Sequence, residues 1–413
     1  MVAARVVLVG AVLAASAYAQ KFYTYVGSLS PRSVTLAWGT ADGVNTIGRS
    51  SPSHGEATVK MAGQTLTTSQ NWIVVADLKP DTAYPYEVIL SGKTIGQGTV
   101  RTWAEQDSKL AFFVLGDYGT GTRTEYGIAN AMWEELQRRN NSGNPVRFVL
   151  TVGDNIYGDI NNFFFGIKNT GAEDRDWARK FFEPYQQILA RVPFFPTLGN
   201  HDGNETENRA DLPAYLDNFF FPGDKPARWY EFSYGGVADF FGLDSTMNTE
   251  SGPPSAQYLA GRPEFRWMQE VIPAAKAPWK IPYFHHPPFN AGPRHAASYR
   301  ELQHWIELFG NSGVKVAFQG HEHNFQISEA NHLSRGIRFV VSGAGGELRT
   351  PDVTRKMAKA NIAAFSAQNE FLVVEIEGKT MRITPLGYEP IRVTDANGGP
   401  VPMPFVITLP NGP

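Results

Sequence analysis

Five apolar runs, each closing in or leading directly into a short polar motif, constrain this chain more than any other feature. The motifs are Gly116-Asp117-Tyr118-Gly119, Gly153-Asp154-Asn155-Ile156-Tyr157, Gly199-Asn200-His201-Asp202, His285-His286-Pro287-Pro288 and Gly320-His321-Glu322-His323. Short apolar runs of about four to eight residues read as buried strands. Open α/β sheets place their sites outside the carboxyl ends of such strands. The pattern asks for a fold that gathers several strand ends in one place.

The rhythm along the chain agrees. LAFFVLG, RFVLTVG, IPYF, VKVAFQG and IRFVVSGAG read as strands, with ADFFGLDS among them. EYGIANAMWEELQRR reads as a helix with Ile128, Met132 and Leu136 on one face. Strands separated by helical or long irregular segments point to a layered α/β domain, expected over residues 108–413. FLVVEIEG and TMRITPLG read as a hairpin added to it. Upstream, SVTLAW, NWIVVADL and YPYEVIL are short alternating runs broken by Gly, Pro, Asn and Ser, which predicts a small β-sandwich over residues 20–103.

A chain of 413 residues, 42% of them hydrophobic, can bury a core for two such domains. Its formal net charge of -3 leaves no basic surplus for a polyanionic backbone, so no nucleic-acid partner is expected. The absence of cysteine excludes disulfides, thiolate ligands and cysteine nucleophiles. At the start, Arg5, the apolar run VVLVGAVLAA and Ala17-Tyr18-Ala19 have the form of a secretory signal over residues 1–19. That run is too short to span a bilayer comfortably and no second long one follows. A soluble, secreted protein, extracellular or periplasmic, without a membrane span, is the expectation.

The motifs have the chemistry of a metal site. Glycine before a ligand lets the backbone turn sharply, and Asp, Asn, His and Tyr supply the oxygen and nitrogen donors that suit iron, zinc or manganese. His201, His285, His286, His295, His321 and His323 are six of only nine histidines in the chain. A single Gly-Asp pair is usually a turn, and a lone histidine is more often a hydrogen-bonded structural residue. Turns and caps do not account for the whole set.

GDYG, GDNIY, GNHD, the histidine of FHHPP and GHEH resemble the five metal-binding blocks of the purple acid phosphatase family, over about residues 109–343. The tyrosine of GDNIY discriminates, since protein serine/threonine phosphatases show GDxHG and GDxxDR, whereas this chain has Gly119 and Tyr157. Leu78-Lys79-Pro80-Asp81-Thr82-Ala83-Tyr84, followed by Tyr86 and Val88, resembles the LxPxTxYxYxV signature of fibronectin type III domains. Together the resemblances imply a fibronectin type III-like sandwich followed by an α/β metallophosphatase domain of layered β-sheets flanked by helices. They imply that Asp117, Tyr157 and His323 hold Fe(III), that Asn200, His285 and His321 hold a second, divalent ion (Fe, Zn or Mn), and that Asp154 bridges the two. The family places its ligand two residues before a proline; the resemblance is read as His285 before Pro287, which leaves His286 a supporting role.

Two metals acidify a bound water into a hydroxide nucleophile and clamp the phosphate oxygens for in-line attack. A tyrosine ligand must lose a proton whose ordinary pKa is about 10, which argues for iron(III). His201 and His295 are the candidates to protonate the leaving group, with Arg294 considered as a phosphate contact and Asp244 as support for the site. The expected function is a secreted acid phosphatase acting on small phosphate monoesters. A phosphodiesterase or nucleotide hydrolase using the same dinuclear site is the alternative, because the motifs define the clamp and not the group that leaves. An exported binding protein carrying an inert phosphatase fold fits poorly, since every expected ligand is present.

Overall fold

The computed structural model of the chain describes residues 21–41, 47–158, 177–202, 213–224, 226–246, 259–349 and 354–410. The expected signal segment, 1–19, lies outside the described residues.

The first part is all β. Strands β1 (Tyr23–Leu29), β2 (Val34–Gly39), β3 (Ala57–Met61), β4 (Gln64–Thr68), β5 (Trp72–Val75), β6 (Ala83–Leu90) and β7 (Lys93–Arg101) form two antiparallel sheets, ordered β1-β2-β5 and β4-β3-β6-β7. The fibronectin-like signature has a mechanical reading. Leu78 is buried, and the Tyr84 hydroxyl accepts the Lys79 N–H at 2.9 Å, pinning the turn into β6.

The second part holds β8 (Lys109–Leu115), α1 (Arg123–Asn141), β9 (Val146–Thr151), α2 (Glu183–Leu189), β10 (Phe194–Pro196), α3 (Pro213–Asn218), β11 (Tyr230–Tyr234), β12 (Ala238–Gly242), α4 (Pro263–Ala274), β13 (Trp279–Tyr283), α5 (Gln303–Asn311), β14 (Val316–Gln319), β15 (Phe325–Ser328), β16 (Arg338–Ser342), β17 (Ile362–Ser366), β18 (Phe371–Glu377), β19 (Thr380–Leu386) and β20 (Phe405–Thr408). One sheet runs β10-β9-β8-β18-β19-β20 and the other β11-β12-β13-β14-β16-β15-β17. Strands β8, β9 and β10 are mutually parallel, as are β12, β13, β14 and β16. The sheets stack through aromatic rings: Phe112 stands edge-on to Phe240 at 5.3 Å and Phe148 to the same ring at 5.2 Å.

Helix α1 buries Ile128, Met132 and Leu136, the face expected from its spacing, and Thr122 caps it by accepting the Glu125 N–H. One expectation needs correcting. The β18–β19 hairpin is no appendage: β18 pairs antiparallel with β8 in the middle of the six-stranded sheet, beside the strand that leads to Asp117. An apolar run announces burial but not its neighbour. Trp103 follows β7 and sits among Phe148, Phe195, Phe232 and Tyr234, so the two parts share a continuous core. No helix among the described residues is long and apolar enough to cross a membrane.

Candidate metal centre

The parallel strands of both sheets end at one rim. From the six-stranded sheet, β8 delivers Asp117, β9 delivers Asp154 and Tyr157, and β10 delivers Asn200; from the seven-stranded sheet, β13 delivers His285 and β14 delivers His321 and His323. The backbone bends hard to do it. Asp117, Asp154 and His321 take positive φ of 55°, 49° and 72°, a region L-residues avoid at a cost of about 1–3 kcal/mol each. Two glycines show why the motifs carry them. Gly153 has φ 91° and a Cβ there would press into the His285 ring, while a Cβ on Gly199 would press into the Asp154 carboxylate.

Two sets of electron-pair donors converge. In the first, the Tyr157 hydroxyl lies 3.3 Å from Asp117 Oδ1 and 3.1 Å from His323 Nε2, and those two lie 3.4 Å apart. In the second, His285 Nε2 lies 3.0 Å from Asn200 Oδ1, 3.2 Å from His321 Nδ1 and 3.4 Å from Asp154 Oδ2. The donor atoms of Asp117, Asp154 and His323 also lie within 4.8 Å of one another. Donors about 2.0–2.2 Å from a shared ion stand about 3 Å apart, so both sets fit a cation. His285 is oriented for it: Nδ1 donates to the Val152 carbonyl at 2.8 Å, which turns Nε2 toward Asn200 and His321.

The electrostatics point the same way. Asp117, Asp154, His285 and His323 are almost fully buried. Burial alone would lower the imidazolium of His285, but the Asp154 carboxylate lifts it to about 10. Burial opposes His323 too, and its contacts with Asp117 and Glu347 raise it to about 9. Burial acts to raise Asp154, yet the charges of His285 and His201 hold it well below the ordinary carboxylate range. Burial raises Asp117 against the contacts of His323 and His285, so carboxylates and imidazoles are held against one another here, and a cation would take the place of the protons they share. Burial, then Asp117 and Asp154, push the Tyr157 phenol well above its usual value, so a strongly charged ion is needed to take its proton.

The expected site residues come together. The His201 ring lies 4.5 Å from the Tyr157 ring, tilted at 47°, and its backbone N–H donates to Asp154 Oδ1 at 2.8 Å. The His295 ring lies 3.9 Å from the His321 ring. Burial, then Arg349 and the neighbouring histidines, hold the His295 imidazole down to about 3, the opposite of a standing acid. His286 is anchored by Ser245, 2.9 Å from its Nδ1, with its ring 4.5 Å from that of His321. Arg294 is exposed. Asp244 binds Arg228 at 2.7 Å and reaches His286 only through its neighbour Ser245.

Sequence reasoning missed four side chains. Asp202 ties the loop after β10 to the loop after β9, and its position inside GNHD was the only signal. Glu322, wholly buried, accepts the His295 N–H at 2.9 Å. Glu347 Oε2 lies 3.2 Å from His323 Nδ1, a charge contact. Arg349 lies behind it, its N–H donating to the His323 carbonyl at 2.8 Å. The last two follow GAGG in a stretch with no ligand-like pattern.

Residues 110–325, just over half of the chain, match the calcineurin-like phosphoesterase family. A Mycobacterium tuberculosis protein of uncharacterized function is 25% identical over 295 residues, 67% of this chain and 52% of its own length. Acid phosphatase type 7 of Mus musculus is 25% identical over 240 residues, 50% of each chain. The chain thus spans about half the length of the curated relatives it matches. Among solved structures, purple acid phosphatase PPD1 from yellow lupin (Lupinus luteus) seeds superposes with a TM-score of 0.64 at 16% identity, covering 94% of this chain and 74% of that one. PhoD superposes with a TM-score of 0.64 at 14% identity, covering 95% and 92%. At such identities these are likenesses of fold.

Proposed function

The chain belongs to the calcineurin-like phosphoesterase family, and from that premise we propose that it is a secreted acid phosphatase hydrolysing small phosphate monoesters at a dinuclear centre. Asp117, Tyr157 and His323 would hold Fe(III), Asn200, His285 and His321 a divalent ion, and Asp154 would lie between them. The observation that carries this reading is the Tyr157 hydroxyl, buried between Asp117 Oδ1 at 3.3 Å and His323 Nε2 at 3.1 Å. A phenol there adds nothing to a centre of ordinary divalent ions and much to a trivalent one.

Bound cations would supply the Lewis-acid charge that activates water and neutralises phosphate oxygens. The residues do the rest. Val152 orients His285 through its carbonyl, Asp202 holds Asn200's loop in register with Asp154, and Ser245 fixes His286. His201, half-buried beside Tyr157, is placed to give a proton to the leaving group. His295, whose surroundings disfavour the charged form, would offer a ring N–H instead.

Metal analysis of the purified protein, beside rates on nitrophenyl phosphate and bis(nitrophenyl) phosphate at mildly acidic pH, tests the reading. It expects iron with a second metal and a faster monoester. Faster turnover of the diester would favour the phosphodiesterase alternative, and protein without iron would remove the ferric assignment.

A further inference from the structure

Beyond the seven expected ligands and two histidines, Arg349 brings a cation to the rim. The segment Gly345 to Arg349 crosses the site: Gly345 and Gly346 donate to the carbonyls of Gly116 and Asp117 at 3.1 and 2.9 Å, and Arg349 donates to the carbonyl of His323 at 2.8 Å. The backbone therefore pins Arg349 beside a candidate ligand. Its guanidinium lies in the hinterland of His295. Nη1 stands 3.9 Å from Glu322 Oε1, and the other oxygen of that carboxylate accepts the His295 N–H at 2.9 Å.

That guanidinium is unfinished. Its side chain is only 16% exposed, and Nη1 is buried without a hydrogen-bond partner among the described residues. Glu322 faces it at a distance too long for one, and Glu322 Oε1 is itself buried without a partner. A guanidinium offers five donors in a planar fork suited to phosphate oxygens, and withdrawing such donors from water unpaired is costly. An incoming anion would complete it. The Arg349 charge also acts on Tyr157, His323 and His295.

We propose that Arg349 contacts the third terminal oxygen of a phosphate monoester and sets this site's preference for monoesters over diesters. The inference rests on the monoester reading above. A monoester has three terminal oxygens and a diester two, the third position of a diester carrying an ester group that cannot accept a charged fork. A guanidinium at that position binds the one and gains nothing from the other. An arginine that served only as counter-ion to Glu322 would affect both substrates alike.

The experiment uses the full, metal-loaded chain and compares Arg349→Gln and Arg349→Lys with the parent. Arg349→Gln should lower kcat/KM on nitrophenyl phosphate by about 10–100-fold, change bis(nitrophenyl) phosphate by less than about 3-fold, and weaken inhibition by inorganic phosphate about 10–100-fold. Metal content should not change. Arg349→Lys keeps the charge but loses the fork, so phosphate inhibition should weaken by about 3–10-fold. Equal losses on both esters overturn the proposal. So does an unchanged phosphate inhibition constant in whichever variant folds. If the parent protein itself prefers the diester, the monoester reading fails, while the phosphate inhibition constants still decide whether Arg349 contacts the anion.

Discussion

The carboxylate of Asp202 grips Asn155 twice: Oδ1 accepts its backbone N–H and Oδ2 its side-chain amide, each at 2.8 Å. The same carboxylate takes the Ile156 N–H at 3.2 Å and the Gly199 N–H at 2.9 Å. Four donors on one buried group make the loops after β9 and β10 a single unit, so that Asn200 and Asp154 keep their spacing. Asp202→Ala leaves those donors without an acceptor, at a cost on the order of 3 kcal/mol. The urea midpoint should fall accordingly, and dialysis should strip one metal from the variant more readily than from the parent. A variant of unchanged stability and metal retention would deny Asp202 this role.

The pH dependence of the metal-stripped protein has a definite sign. His285 and His323 are raised to about 10 and about 9 in the folded chain, against an ordinary imidazole near 6.5. Their contribution to stability is full below pH about 6.5 and is lost as pH rises through about 9 to 10. Chelator-treated protein should therefore show a Tm that falls between pH 7 and 10, while the metal-loaded protein, whose imidazoles carry no proton there, shows a smaller fall. Metal uptake at pH 7 should release protons, measurable by calorimetry in buffers of different ionisation enthalpy. No proton release would remove the protonated pairs.

Much of this site was legible because its donors stand in short motifs at the ends of apolar runs, and a run of buried residues reports a strand whatever its partner. What was not legible depends on partners. FLVVEI looks the same at an edge as in the middle of a sheet, yet β18 lies against β8. Asp202, Glu322, Glu347 and Arg349 act through contacts closed by folding, to residues between 3 and 47 positions away for Asp202 and 26 for Arg349 through the His323 carbonyl. Asp202 and Glu322 stand inside ligand motifs that say nothing of these partners, and the stretch around Glu347 and Arg349 carries no ligand-like pattern at all. His295 is the instructive case: its type and spacing suggested a proton donor, and its surroundings disfavour the charged form.

That difference separates the two histidines experimentally. His201→Ala should lose most on alkyl phosphates and least on nitrophenyl phosphate, because only a poor leaving group needs a proton, and the loss on the former should reach about 100-fold. His295→Ala should lower kcat/KM by a similar factor on both, as expected of a neutral N–H that positions substrate. Leaving-group dependence at His295 and none at His201 would reverse the assignment.

Asp154→Asn tests the bridge. The amide keeps the shape but loses the charge that His285 and the two candidate cations share. Metal content should fall for both ions and turnover with it, by far more than for either histidine variant. Two metals retained with full activity would place the bridge elsewhere.

Tyr157 offers the sharpest outcome, because a phenolate ligand leaves a signature in visible light that no other donor of the site would give. It lies 3.3 Å from Asp117 Oδ1 and 3.1 Å from His323 Nε2, and burial keeps its proton on until a strongly charged ion removes it. A phenolate on Fe(III) transfers charge to the metal in visible light, so oxidised, concentrated protein should be purple to pink. Tyr157→Phe keeps the ring, and with it the 4.5 Å tilted contact with His201, but removes the oxygen. The band should vanish while iron is partly retained by Asp117, Asp154 and His323, and activity should fall less than in Asp154→Asn. If the parent protein holds iron(III) and is colourless, or if the phenylalanine variant keeps the band, Tyr157 is not a ligand. The chain would then remain a calcineurin-like phosphoesterase whose centre takes two divalent ions, and the acidic pH range expected for a ferric centre would move toward neutral.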